Sequence, residues 1–326
     1  MENQFHEMKI IFRIAMKKIC TLVWVSIFLM TVSSKAQNTT NLNDAGMMKF
    51  TRELIRLPFG ERDVILKGIQ IFERDFGSNP KEADWAYQLL QYYHELTVED
   101  KTNTLQIAFG AEQVFEYKNK GSVDGGIRSD LIRFEKEYAN YGYKVMAYED
   151  TTYAMESNPD FLFGKCQKYL SEDYRYYRGK HLQELHQPPY WHARLVIKLN
   201  ELMERIRWRD ELIDNKKDFV RSDLVGYEIE NLMIAVAKGL ENTPIYGKDQ
   251  IILPEYKNAI QTYYRAHPDT RWGLFLTEFM HRLSINKYHH SDAIDQYVMS
   301  YMFPEKRKQI DPLQKYKDML SDNLVE

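Results

Sequence analysis

The chain has 326 residues, and its 44 lysines and arginines stand against 47 aspartates and glutamates, which gives a formal net charge of −3 at pH 7. A chain of this length can bury a hydrophobic core of its own, and its mildly acidic charge disfavours nucleic acid and anionic lipid as partners. Only two cysteines are present, so we expect the fold to rely on its core and not on disulfides.

Residues 1–36 have the pattern of a secretory signal peptide. Two adjacent lysines precede an apolar run over 19–32, and the small residues Ser34 and Ala36 predict cleavage before Gln37. A helix that spans a bilayer needs roughly 20 apolar residues, so a retained membrane anchor is the weaker alternative. We therefore expect an exported protein, periplasmic or extracellular, without stable membrane insertion after cleavage.

Helical periodicity dominates the rest of the chain. The apolar residues of segment 225–240 recur every three or four positions and form one stripe on a helix. Helix-start signals precede several such stripes, with Asn79-Pro80, Asn158-Pro159 and Ser222-Asp223 each supplying a capping oxygen, a first-turn proline or an acid. The pattern predicts about ten helices.

One segment favours β-structure. Tyr143–Ala147 and Thr151–Met155 are rich in β-branched and aromatic residues and flank Glu149-Asp150, which predicts a β-hairpin between two helical halves. The glycines at 121, 125 and 126 predict a loop before it. The predicted organisation is a signal peptide at 1–36, a flexible mature N-terminus at 37–43, an N-terminal helical region at 44–142, the β-hairpin at 143–157 and a C-terminal helical region at 158–326.

Two segments of the chain resemble each other. Ile69–Asn79 and Ile260–Thr270 share an Ile-Gln pair, an aromatic residue three positions on and an arginine five positions on, and an amphipathic segment follows each. Helix, short turn and helix is the unit of a solenoid, in which neither helix buries its apolar stripe alone. The two copies therefore predict helical-hairpin repeats, with Phe72 and Tyr263 both facing a core.

The second copy resembles the tetratricopeptide-like helical repeats of exported bacterial proteins. Ala259 and Ala266 stand at the small positions between paired helices, Tyr263 at the aromatic position, and 267–270 at the turn. The resemblance implies a mainly α, solenoid-like fold with a concave surface that binds a partner. It implies no active site.

Motifs of the common enzyme classes are missing from the sequence. His94-Glu95 begins an HExxH-like pattern, but Val98 replaces the second histidine that zinc binding requires. The nucleophile-elbow, P-loop and dinucleotide-binding patterns are absent as well. Cys166 is the single cysteine of the predicted mature chain, and we expect a buried, unreactive thiol.

The best candidate binding surface lies between Tyr174 and His192. Aromatic and histidine side chains alternate there with basic residues, and the candidates are Tyr174, Tyr176, Tyr177, His181, His186, Tyr190, Trp191 and His192. The aromatic faces suit stacking on a sugar ring. Irregular histidine spacing disfavours a shared metal ion. The structural alternative to a binding surface is that the tyrosines are half-buried where helices meet. A second histidine cluster, at 288–292, predicts an exposed turn followed by a helix.

From these observations we expect a non-catalytic scaffold, without metal or cofactor, that binds a protein or a component of the cell envelope. One alternative is a glycan- or peptidoglycan-binding module that uses the tyrosine and tryptophan faces. The other alternative, from a different class, is a hydrolase with dispersed carboxylates and histidines.

Overall fold

The computed structural model describes residues 42–110, 113, 114, 116, 125–148, 153–302 and 311–324. The predicted signal peptide and the turn of the predicted hairpin lie outside these residues. The described residues are 69% helical, which confirms the mainly α prediction. The described residues form twelve α-helices and four short strands: α1 (Asp44–Ile55), α2 (Val64–Phe76), α3 (Pro80–Ala108), α4 (Gly125–Ala139), β1 (Tyr143–Ala147), β2 (Tyr153–Ser157), α5 (Pro159–Cys166), α6 (Glu172–His186), β3 (Tyr190–Trp191), β4 (Arg194–Leu195), α7 (Leu199–Asn215), α8 (Ser222–Ala237), α9 (Pro254–Ala266), α10 (Arg271–Ile285), α11 (Asp292–Met302) and α12 (Gln314–Leu324).

The predicted helix starts are visible as caps. The side chain of Asn79 accepts a hydrogen bond from the Glu82 amide at the start of α3, and that of Asn158 accepts from the Asp160 amide at the start of α5. A proline follows each cap at the first helical position, where its missing N–H costs nothing. Gly125 and Gly126, predicted to lie in a loop, are instead the first residues of α4.

The chain divides into two compact units. In the larger unit, which contains residues 42–222, 240–243 and 311–324 of the described chain, α3 is central and packs against α1, α2, α5, α12 and β2. The core between α1 and α2 is aromatic, and Phe50 and Phe76 meet edge to face at 5.3 Å between ring centroids. The smaller unit contains residues 223–239 and 244–302 of the described chain.

The predicted β-hairpin is present. Strands β1 and β2 pair antiparallel from Tyr143 opposite Ser157 to Ala147 opposite Tyr153, and β2 packs on α3. The second strand lies two residues later than the sequence pattern indicates. The strands β3 and β4 form a second, much shorter hairpin that the sequence pattern did not indicate.

Both copies of the internal repeat are helix–turn–helix pairs, α2–α3 in the larger unit and α9–α10 in the smaller. Phe72 is fully buried and Tyr263 is 5% exposed, as the alignment predicts. Ala259 is half-buried, whereas Ala266 is exposed. Because the two pairs belong to separate units, a continuous solenoid stays a prediction.

Among the described helices, none combines the length and the apolar character that crossing a membrane would require.

Candidate functional site

The structure separates the predicted surface residues into buried and exposed groups. Tyr174 and Tyr177 lie on the inner face of α6, are 1% and 2% exposed, and pack in the core of the larger unit. Tyr176 points outward from the same helix. The ring of His181, which is half-buried, lies against Tyr177 at 5.7 Å. Tyr174 and Tyr177 are therefore core residues, more deeply buried than the half-buried rings of the structural alternative.

The three predicted histidines do not meet. The imidazole of His186 is exposed and its Nε2 lies 2.9 Å from a carboxylate oxygen of Asp160, while His192 lies beyond the helix on the second hairpin. Across the described parts of the chain, no three His, Cys, Asp or Glu side chains are grouped as metal ligands. The cluster at 288–292 is a turn, but Tyr288, His289 and His290 are half-buried and not exposed.

The second hairpin, hereafter the Trp191 hairpin (residues 189–196), presents an exposed tryptophan. Trp191 pairs with Arg194 across a two-residue turn, and the amide of Val196 donates to the Pro189 carbonyl oxygen at 2.9 Å. The indole is 58% exposed, an unusual fraction for so large an apolar side chain. The strands thus hold the tryptophan in the solvent instead of the core.

The turn of this hairpin is strained. His192 and Ala193 have φ angles of 47° and 55°, in the left-handed region where a Cβ atom costs roughly 1–2 kcal/mol per residue. A two-residue hairpin turn with positive φ at both positions is usually built from Asn-Gly or Asp-Gly. Sequence reasoning missed the hairpin because neither residue is the type that such a turn favours.

Residues 240–243 hold the strained turn in place. The side-chain amide of Asn242 donates to the His192 carbonyl oxygen at 2.7 Å, and its backbone amide donates to the Ala193 carbonyl oxygen at 3.0 Å. The amide of Leu195 donates to the hydroxyl of Thr243 at 3.0 Å. These hydrogen bonds bind both turn carbonyls, and they offset part of the backbone strain.

An open recess of about 770 Å³ lies against the Trp191 hairpin. Its lining combines an indole, a guanidinium, an imidazole and an amide with two aliphatic side chains, and consists of Trp191, His192, Arg194, Leu195, Val196 and Asn242. The lining contains no carboxylate, and Arg194 supplies a permanent positive charge. The recess is therefore shallow, mixed in polarity and positively charged.

A second group of polar residues lies within the larger unit, between α3 and α6. We call it the Arg178 cluster, and it consists of Tyr87, Gln88, Gln91, Glu95, Tyr174, Arg178 and Arg221. Arg178 is 5% exposed, and one guanidinium nitrogen of Arg221 donates to Oε1 of Gln88 at 2.9 Å. The side-chain amide of Gln91 donates to a carboxylate oxygen of Glu95 at 3.1 Å, one turn further along α3.

Two carboxyl groups on α3 have raised pKa values. Burial raises the pKa of Asp84 to about 6, although the backbone amide and hydroxyl of Ser171 donate to its two oxygens at 3.0 and 2.6 Å. Glu95 is reached by solvent, yet desolvation by the surrounding protein raises its pKa, and Gln91, Arg178, Lys317 and Arg221 oppose that shift. Carboxyl groups with perturbed pKa values cluster at binding and catalytic sites.

No family model matches this chain, and no curated protein or solved structure matches it. The recess and the Arg178 cluster are the two candidate sites in the part of the chain that the structure describes.

The remaining residues that the sequence singled out are structural. His94 is 1% exposed, its ring lies 5.0 Å from that of Tyr143, and burial lowers its pKa to about 4, so the imidazole is neutral at pH 7. The thiol of Cys166 is buried, and burial raises its pKa to about 12, which leaves it protonated and unreactive.

Proposed function

We propose that the protein is an exported, non-catalytic binding protein whose ligand is a carboxylate-bearing glycan of the cell envelope, held in the recess at the Trp191 hairpin. The observation that carries the proposal is the exposed indole of Trp191, presented on a strained turn that Asn242 holds in place. Strained backbone of this kind occurs where the surrounding structure fixes it for a function.

The chemistry of the lining favours a glycan. An exposed indole face stacks on the C–H face of a sugar ring, and each aromatic contact contributes about 0.5–1.5 kcal/mol. The guanidinium of Arg194 matches the geometry of a sugar carboxylate and has no carboxylate competitor in the lining. A protein partner of ordinary affinity would instead need an interface of about 1,000 Å² or more with an apolar centre, and the apolar side chains of the recess lining are Trp191, Leu195 and Val196.

Cosedimentation with an insoluble glycan tests the proposal. The chain from Gln37 onward is mixed with purified peptidoglycan, whose stem peptides carry free carboxylates beside the sugar rings, and with cellulose, which is neutral. We expect sedimentation with peptidoglycan only, a roughly two- to tenfold weaker association for Trp191→Ala, and a loss for Arg194→Gln that grows at low salt.

Tyr176→Ala is the matched control, because Tyr176 is 47% exposed and is absent from the recess lining. It should bind like the wild type. Equal losses in Trp191→Ala and Tyr176→Ala, or failure of the wild type to sediment with peptidoglycan, would refute the glycan proposal and favour a protein partner.

A further inference from the structure

Four cationic side chains are buried in the part of the chain that the structure describes, and one of them has no counter-charge in contact. Three are each within 2.7 Å of a carboxylate, namely Lys101 with Asp100, Arg205 with Glu201 and Arg209 with Glu184. Arg178 is equally buried, but among the described residues no carboxylate lies within 4.0 Å of its guanidinium. Burying a charge that has no ion-pair partner is unfavourable, so the fold holds Arg178 without a carboxylate in contact at an energetic cost.

The immediate neighbours of Arg178 are neutral. The tyrosines Tyr87, Tyr174 and Tyr177 surround the guanidinium, and their hydroxyls do not carry a charge at pH 7. The Nε of Arg178 is buried and makes no hydrogen bond to any described residue. A buried donor without a hydrogen bond is uncommon in a folded protein, and it calls for a structural or functional explanation.

Solvent reaches this cluster at Glu95. The carboxylate is accessible, and it is faced by Gln91 on its own helix, by Arg178 on α6, by Arg221 and by Lys317 on α12. Lys317 already contacts Asp311 at 2.7 Å. Both arginines act electrostatically on Glu95 and on Tyr174, so the two guanidinium groups and the carboxylate share one small region.

We infer that Arg178 and Arg221 form a binding site for a small organic carboxylate, with Glu95 at its entrance. The planar fork of a guanidinium donates two parallel hydrogen bonds to a carboxylate. A bound carboxylate would supply the counter-charge that Arg178 lacks. Glu95 favours a monoanion over a phosphate dianion, because its own charge repels the ligand and the repulsion grows with ligand charge.

The inference predicts a pH dependence with a defined sign. The raised pKa of Glu95 means that it takes up a proton at a higher pH than a free glutamate does. Protonated Glu95 no longer repels an anion and its hydroxyl donates a hydrogen bond, so carboxylate binding strengthens as the pH falls. His181 lies one turn along α6 from Arg178, and its ring contacts that of Tyr177, so its imidazole is a second titratable group close to the site.

Calorimetric titration of the chain from Gln37 onward with the monoanions acetate and lactate, and with inorganic phosphate, at pH 7.5 and pH 5.5, tests the inference. We expect one saturable site for acetate and lactate, tighter at pH 5.5, and weaker binding of phosphate at pH 7.5, where phosphate is mostly a dianion. Glu95→Gln, at an accessible position, removes the repulsion and should bind at least about tenfold more tightly at pH 7.5, with no remaining pH dependence. A pH dependence that persists in Glu95→Gln would show that another group titrates, and it would overturn the role of Glu95.

Arg178→Met should abolish the binding, and Arg221→Gln should weaken it. Arg133→Gln, on an exposed arginine of α4, is the matched control and should leave it unchanged. Should Arg178→Met fail to fold, Arg221→Gln and Glu95→Gln carry the test alone. The absence of saturable binding in the wild type, or unchanged binding in Glu95→Gln, overturns the inference. Trp191→Ala should bind acetate as the wild type does, so a failure here is distinct from a failure of the glycan proposal.

Discussion

The buried imidazole of His94 makes the stability of the larger unit depend on pH, with a sign and a size that the structure fixes. The ring is 1% exposed, packs edge to face on Tyr143 and makes a hydrogen bond to the backbone of Gly142. Desolvation by burial outweighs that hydrogen bond and lowers the pKa from 6.5 to about 4. The folded state therefore binds no proton at His94 until the pH falls to about 4.

The unfolded chain takes up that proton near pH 6.5, so between pH 6.5 and pH 4 it binds more protons than the folded state does. Stability falls as the pH falls through this window. With these two pKa values the free energy of unfolding at pH 5 is about 2 kcal/mol lower than at pH 7, and the full loss below pH 4 is about 3 kcal/mol.

Asp84 partly hides this effect in the wild-type protein. Its pKa is raised from 3.8 to about 6, so the folded state takes up a proton before the unfolded state does. Its contribution is fully present below pH 3.8 and is lost as the pH rises through 6, which gives about 1 kcal/mol of opposite sign between pH 7 and pH 5. A single pH profile therefore cannot separate the two groups, and a variant of His94 is needed.

Urea unfolding of the wild type and of His94→Gln at pH 7 and pH 5 separates the contribution of His94 from that of Asp84. His94→Gln should be less stable at both values, but its deficit should be about 2 kcal/mol smaller at pH 5. His281→Gln, at an exposed histidine of α10, is the matched control. Its free energy of unfolding should differ from that of the wild type by the same amount at pH 7 and at pH 5. A deficit of His94→Gln that does not change with pH would refute the assignment of a neutral, desolvated imidazole.

Other expectations follow from single features. Asp84→Asn should remove the contribution of Asp84 to the pH dependence. The difference in free energy of unfolding between this variant and the wild type should therefore change by about 1 kcal/mol between pH 5 and pH 7, measured by the same urea titrations. Ala193→Gly should relieve the left-handed strain and stabilise the protein by about 1 kcal/mol, whereas an unchanged melting temperature would argue against that turn. Phe72→Ala and Tyr263→Ala should each cost about 3–5 kcal/mol, and a loss below 1 kcal/mol in either would break the equivalence of the two repeat copies. Intact mass of the exported protein should place its N-terminus at Gln37, and a membrane-bound product that retains Met1 would exclude cleavage.

Local signals in the sequence predicted much of the fold. Asn79 and Asn158 precede a proline and an acid, and both cap helices, because a side-chain oxygen next to unsatisfied amides acts over three residues only. The apolar stripe of 225–240 predicted α8 for the same reason, since a helix is a local structure. The loop prediction at Gly125 and Gly126 was wrong, because glycine favours loops but is tolerated in the first turn of a helix.

The candidate sites were harder to predict, because they join distant segments. Trp191 and His192 were predicted as surface residues, but the turn that presents them depends on Asn242, and nothing near Trp191 in the sequence reveals that contact. The Arg178 cluster combines residues of α3 and α6 with Arg221. In the sequence, Glu95 is distinguished only as part of an incomplete zinc motif. Buried charge without a counter-charge is a property of packing, and the sequence does not show which residues pack.

The hydrogen bonds between Asn242 and the Trp191 hairpin also bear on the order in which the protein folds. The side chain of Asn242 reaches a carbonyl oxygen 50 positions earlier in the chain. Closing a loop of that length costs conformational entropy before any contact compensates for it. During synthesis the hairpin segment emerges first and, with two non-glycine residues at positive φ, has little local reason to form. The recess therefore takes shape only after residue 243 has left the ribosome, and a chain truncated before Asn242 would display Trp191 without a defined surface around it.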